Sequence, residues 1–199
     1  NTKLKLKNNL SDITISQGVI HHTTDMFKSL SELIRITKKG GIILLLVYGE
    51  HGMLWNLIKK LRPICKLVGK KEIIKIMKQI NLPENNIKHF IDNLFVPIQI
   101  QTSHSHLAEY LREKKLKFKV WNKYKTFDHE QSVDDYLQEF YKLKNIFYKL
   151  KNPTLKTLSI RIIKSYLNEI KIIRKSKLDI KKQRYLIIGE GNHRFEIRK

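Results

Sequence analysis

Residues 42–47 constrain this chain more than any other segment: Ile-Ile-Leu-Leu-Leu-Val, six apolar residues without alternation. A run of that length with no polar face suits a strand buried on both sides, as strands of parallel sheets are. Ahead of it Thr23, Thr24 and Asp25 offer N-cap oxygens. Phe27, Leu30, Leu33, Ile34 and Thr37 then recur at helical spacing until Lys38-Lys39-Gly40-Gly41 closes the segment. Further upstream, residues 12–16 (Asp-Ile-Thr-Ile-Ser) form a short β-branched run that breaks at Gln17-Gly18. Residues 12–47 therefore predict a β-α-β unit with its helix over about 24–38. Such crossovers are right-handed in nearly all cases, so both strands run the same way and open their carboxyl ends on one edge, where α/β sheets place their ligands. The loops at 16–22 and 48–52 should face one crevice, and each sets glycine beside histidine or tyrosine.

Beyond residue 52 the pattern turns helical and rich in lysine. Leu54, Leu57, Ile58 and Leu61 make a stripe that ends before Pro63; Ile73, Ile74, Met77 and Ile80 make a second; Pro83 opens a third with Ile87, Phe90, Ile91 and Leu94. Residues 53–102 are expected to form a helical insertion or lid, closing on a short extended piece after Pro97. Residues 103–131 should return to the sheet, with Ser105 capping a helix and residues 118–121 as a strand. Residues 132–199 read as a C-terminal extension of two long amphipathic helices, the second starting at Pro153. It should end in a hairpin of residues 184–188 and 193–198 around Gly189-Glu190-Gly191-Asn192. That turn, with Arg194, could also hold an anion.

Composition narrows the function classes. One cysteine, Cys65, forms no internal disulfide or thiolate cluster, and no stretch is long and apolar enough to span a bilayer, so a cytoplasmic protein held by packing is expected. The net charge is +22, from 40 Lys and Arg against 18 Asp and Glu. A basic surface attracts phosphate by counterion release. Yet 32 of those cations are Lys and only 8 are Arg, beside 28 Ile, 13 Asn and a single Ala, Ala108. Codon drift toward A and T accounts for much of that balance, and arginine, the residue suited to bidentate phosphate contacts, is scarce. Nucleic acid is therefore a weakly supported partner. The basic stretch 54–68 leaves peripheral contact with an anionic membrane open, although a helix packed as a lid is the commoner use of such a pattern. His104 and His106, with Asp128-His129-Glu130, are metal-ligand types, but i and i+2 share a face only on a strand, so no metal is assigned.

Residues 12–41, DITISQGVIHHTTDMFKSLSELIRITKKGG, resemble the segment of class I S-adenosylmethionine-dependent methyltransferases that follows the cofactor-binding core. The shared order is an aspartate opening the fourth strand, a serine and glycine at its end, two histidines, a helix, then lysine and paired glycines before the fifth strand. The likeness covers residues 12–48 and, more loosely, 103–121, where Lys115-Leu116-Lys117-Phe118 departs from the glycine that usually precedes the phenylalanine. The resemblance implies an α/β fold with a Rossmann-like, mostly parallel sheet and methyl transfer from S-adenosylmethionine. It also implies that the first three strands and their glycine-rich loop would lie upstream, so the chain reads as the C-terminal part of such an enzyme.

Within that frame Ser16, Gln17, Gly18 and Val19 are the cofactor-side candidates, because glycine lets backbone approach a ligand closely. His21 and His22 are the catalytic candidates, as general base or orienting donor near the methyl acceptor. Tyr48, His51 and Trp55 could line the pocket of a small-molecule acceptor. The competing reading is a basic module that binds RNA or a protein partner on the same scaffold without chemistry.

Overall fold

A computed structural model describes residues 2–120 and 132–199. The element order is β1 (Ser11–Gln17), a 3-10 turn (Ile20–His22), α1 (Met26–Ile36), β2 (Thr37–Tyr48), α2 (Met53–Val68), α3 (Lys70–Gln79), α4 (Glu84–Phe95), α5 (His104–Glu113), β3 (Lys117–Val120), α6 (Val133–Tyr148), α7 (Pro153–Lys175), α8 (Ile180–Ile188) and β4 (Asn192–Arg198). The described residues fall into two compact units, one of residues 2–50, 97–120 and 190–199, the other of residues 51–96 and 132–189. Trp121 and the candidate ligand run Asp128-His129-Glu130 lie outside the described residues.

The first unit is built on a four-stranded sheet of order β1-β2-β4-β3. β1 and β2 are parallel, Ile13 opposite Ile42 and Gln17 opposite Leu46, and α1 connects them, as the pattern over 12–47 predicts. The Asp25 carboxylate caps α1 by accepting from the Lys28 amide at 2.8 Å. The helix stops at Ile36 because Thr37 is extended (ψ 136°) and begins β2 directly, its hydroxyl 2.7 Å from that of Thr14 on β1. Lys38 to Gly41 are thus strand residues, and the pairing register shifts between Ser11 and Ile13. Gly41 is required there: a Cβ would come within 2.8 Å of the Asp12 carbonyl oxygen.

β4 lies between β2 and β3 and is antiparallel to both, so the described sheet is mixed. This corrects the expected hairpin. Residues 193–198 are a strand beside residues 117–120, but residues 180–188 form α8 rather than a first arm. The reason is local: the Asp179 carboxylate accepts from the Lys181 and Lys182 amides, and Gly189 at φ 70° ends the helix. A four-residue apolar run, 185–188, is too short for its period to distinguish strand from helix.

One face of the sheet is covered. Ile43, Leu45 and Val47 of β2 and Phe195 and Ile197 of β4 are fully buried with Leu30 of α1 and Leu107 and Leu111 of α5. Each such side chain contributes roughly 1.5–3 kcal/mol. On the other face β1 leaves Ile13 58% and Ile15 63% exposed. α5 starts at His104, capped by the Ser103 hydroxyl and not by Ser105.

The second unit is helical. α2 continues through Pro63, against the expected break, with Leu57, Ile58 and Leu61 on one side and Ile64 and Cys65 on the other all buried along one stripe. Burial pushes the Cys65 thiol up to about 12. α6 opens with a capping box between Ser132 and Asp135. Among the described residues no helix is long and apolar enough to cross a membrane.

Candidate functional site

The two loops at the carboxyl ends of β1 and β2 carry the predicted residues. Gly18 leaves β1 at φ +71°, its amide donating to the Leu46 carbonyl at 3.1 Å, and the chain turns at once into the 3-10 turn holding His21 and His22. β2 delivers Tyr48 alongside. The ring centroids of His21 and Tyr48 are 4.0 Å apart, those of His21 and His22 4.1 Å, and His22 meets Tyr48 edge-on at 6.0 Å. His21, His22 and Tyr48 thus form one aromatic cluster, joining the two catalytic candidates to one substrate candidate.

The environments of the two histidines differ. His21 is 0% exposed and, among the described residues, neither ring nitrogen has a hydrogen-bond partner. Burial, and secondarily the neighbouring His22, lower its pKa to about 4, so the ring is neutral near pH 7. His22 is half-buried and its Nδ1 lies 2.8 Å from the Ile98 carbonyl oxygen. A carbonyl only accepts, so the neutral ring carries its proton on Nδ1 and leaves a lone pair on Nε2.

The cofactor-side candidates sit one step earlier. Ser16, opposite Leu45, is 4% exposed and its hydroxyl has no partner among the described residues. Gln17 and Val19 are exposed, and a Cβ at Gly18 would meet nothing within 4 Å. His51 and Trp55 belong to the helical unit: Trp55 is a 7% exposed core residue of α2, and His51 lies 6.4 Å from Tyr185, ring to ring.

Residues 98–102, expected only as an extended piece closing an insertion, form a strap across both loops. The Ile100 amide donates to the His21 carbonyl at 2.8 Å, the Thr102 amide to the Tyr48 carbonyl at 3.2 Å, and Thr102 bridges Gly49. Its end is anchored by His193 Nε2, which donates to the Thr102 carbonyl at 2.9 Å and lies 3.2 Å from Glu190 Oε2, the acceptor also of the His104 amide. Burial raises the Glu190 pKa, but the hydrogen bonds from His193 and the His104 amide outweigh it and hold the carboxyl below its ordinary value. A carboxylate thus occupies the turn read as an anion cradle. His104 faces His193 and Phe195 while His106 stacks on Phe27, so the two do not converge, and among the described residues no group of three or more His, Cys, Asp or Glu could hold a metal. Gly49 is required beside this anchor, because a Cβ there would come within 2.8 Å of Glu190 Cβ and of the Gly191 carbonyl oxygen.

Residues 1–45 match a family described as a methyltransferase domain. The match spans β1, the histidine turn, α1 and most of β2. Similar solved structures include a SAM-dependent methyltransferase from Thermotoga maritima (19% identity, 60% of this chain and 44% of that one, TM-score 0.39). Others are the YcgJ protein of Bacillus subtilis (11%, 100% and 68%, TM-score 0.45) and an Anabaena variabilis protein assigned as a methyltransferase of an antibiotic biosynthesis pathway (18%, 100% and 70%, TM-score 0.41). The chain spans less than half of the first of these. No curated protein matches the sequence.

Proposed function

We propose that the chain is the C-terminal part of an S-adenosylmethionine-dependent methyltransferase acting on a small molecule or metabolite, with the cofactor against residues 16–19 and the acceptor against His22 and Tyr48. The observation that carries this reading is the carboxyl end of β1, within the stretch that matches the family model, where a Ser16 hydroxyl without a partner among the described residues lies beside open-sided Gly18. These residues fit the cofactor: a buried hydroxyl needs a polar partner, and a glycine with nothing near its Cβ position admits a ligand against the backbone. When bound, S-adenosylmethionine supplies an electrophilic methyl group on a sulfonium. His22 Nε2 takes the proton of the acceptor hydroxyl or amine, while Nδ1–H, held by the Ile98 carbonyl, fixes the ring. His21, neutral and enclosed, is too weak a base for that task near pH 7 and acts as the platform on which His22 and Tyr48 are set.

Support for further chain packing on β1 comes from its edge, unpaired among the described residues, and from the exposed Ile13 and Ile15. Calorimetric titration of S-adenosylmethionine tests the proposal. The 199-residue chain should show no measurable binding, whereas the protein extended by its upstream sequence should bind at micromolar Kd. Micromolar binding by the chain alone would mean the site is misplaced. No binding by the extended protein would overturn the enzyme reading in favour of a basic module without chemistry.

A further inference from the structure

The charge of the chain is concentrated. The described residues of the helical unit hold 23 Lys and Arg against 8 Asp and Glu, although they are only about half of the chain. Codon drift raises lysine everywhere and has no reason to arrange it. At the turn between α6 and α7 it is arranged: an open groove of about 640 Å³ is lined by Tyr148, Lys156, Thr157, Ile160, Arg161 and Lys164, with Pro153 at its end. On α7 these positions recur at intervals of three and four, so they form one helix face. Among the described residues Lys156, Arg161 and Lys164 make no ion pair, and no carboxylate lines the groove. Elsewhere in the unit Lys142 and Arg174 are paired with Glu139 and Asp134. Tyr148 is 56% exposed, with Lys156 Nζ 4.2 Å from its ring centroid.

We propose that this groove binds single-stranded RNA, one base stacking on Tyr148 and successive phosphates lying along Lys156, Arg161 and Lys164. A concave track of unpaired cations ending at an exposed aromatic ring is the arrangement single strands use: charge follows the backbone and the ring takes any base. An anionic bilayer is matched less well. It calls for a protruding apolar face, whereas the groove is recessed and its aliphatic lining is only Pro153, which is exposed, and Ile160, which is half-buried. The groove lies within the helical unit, and this proposal stands independently of the methyltransferase reading.

The test uses fluorescently labelled 12-nucleotide oligouridylate and the full 199-residue chain, with circular dichroism to confirm that each variant is folded. Lys156→Gln/Arg161→Gln/Lys164→Gln should weaken binding at least tenfold and flatten the slope of log K against log salt by about 2, three phosphate contacts at about 0.7 each. Lys70→Gln/Lys71→Gln/Lys75→Gln, an equal charge loss at exposed positions of α3, should change affinity less than threefold. Tyr148→Ser should cost roughly 5- to 150-fold and Tyr148→Trp should retain binding. Equal losses from the two triple variants, or no loss from Tyr148→Ser, would overturn the proposal. So would groove variants that bind RNA normally but lose vesicles of phosphatidylserine, which would make the face a membrane contact.

Discussion

His22 Nδ1 stands 2.8 Å from the carbonyl oxygen of Ile98, a residue 76 positions away, and this bond decides which nitrogen of the ring can act as a base. With Nδ1 committed as donor, Nε2 is the only lone pair the ring offers. His22→Asn should therefore lower single-turnover methyl transfer about 10²- to 10⁴-fold while the Kd for S-adenosylmethionine stays within about twofold. The readout is incorporation of labelled methyl into the small-molecule fraction of a metabolite extract by the upstream-extended protein. A matching loss in cofactor affinity would place His22 on the cofactor side instead.

His21 gives a stability prediction with a definite sign. Its folded pKa is about 4 against an ordinary 6.5, so between those values the unfolded chain binds more protons than the folded one. The stability tied to the neutral ring is present above pH 6.5 and is lost as pH falls toward 4, up to roughly 3 kcal/mol for a shift of this size. His21→Phe keeps the ring contact with Tyr48 and removes both partnerless nitrogens. Urea unfolding at stepped pH should show this limb in the parent and not in His21→Phe; identical pH profiles would mean that His21 titrates normally in the fold.

Much of this site is local and could be read in advance. The β-α-β unit announces itself through Asp25 as a cap, the apolar stripe of α1 and the uninterrupted run 42–47, and Ser16, Gly18, His21 and His22 lie within that one unit. The strap does not announce itself: residues 98–102 look like any short extended piece, and only the tertiary bonds to His21, His22 and Tyr48 give them meaning. Ser103 outcompeted Ser105 as a cap because helix starts are separable by one turn only once the flanking backbone is placed. Trp55 looked like a pocket residue because it follows the fifth-strand loop, but it sits on the apolar stripe of α2 and is buried by it.

Gly52 and Gly69 share a backbone conformation, φ 93° and 90° with ψ near 144°, but differ in surroundings. A Cβ at Gly52 would come within 2.3 Å of the Ile188 carbonyl carbon, whereas one at Gly69 would meet nothing within 4 Å. Gly69→Ala should cost only the conformational strain, about 1–3 kcal/mol. Gly52→Ala should cost at least about 2 kcal/mol more, because backbone must move. Denaturant midpoints of the two variants compare them directly, and equal losses would contradict the close approach.

Cys65 should be silent to thiol reagents in the folded protein. The side chain is fully buried and its thiol is pushed up to about 12, so thiolate is scarce at pH 8 and access is closed. Labelling by an aromatic disulfide should proceed at the rate of unfolding and speed up only as urea approaches the transition. Prompt stoichiometric labelling in native buffer would show that α2 opens far more readily than its packing implies.

The exposed face of β1 tests whether the sheet is completed by further chain. Ile13 and Ile15 alternate with buried Thr14 and Ser16, so they project together on the side of the sheet away from α1, on a strand that among the described residues pairs only with β2. Two large β-branched side chains on an open strand edge favour association with other chains. Ile13→Thr/Ile15→Thr keeps strand propensity while removing apolar area, so the 199-residue chain should stay monodisperse in light scattering at concentrations where the parent associates, without loss of helix or strand content. In the upstream-extended protein the same pair should be covered, and the double substitution should then lower stability by about 2–4 kcal/mol, the loss of two buried aliphatic contacts. A variant that leaves the extended protein's stability untouched would show that this face stays open there, and would remove the argument for further chain on β1 while leaving the β-α-β unit as it stands.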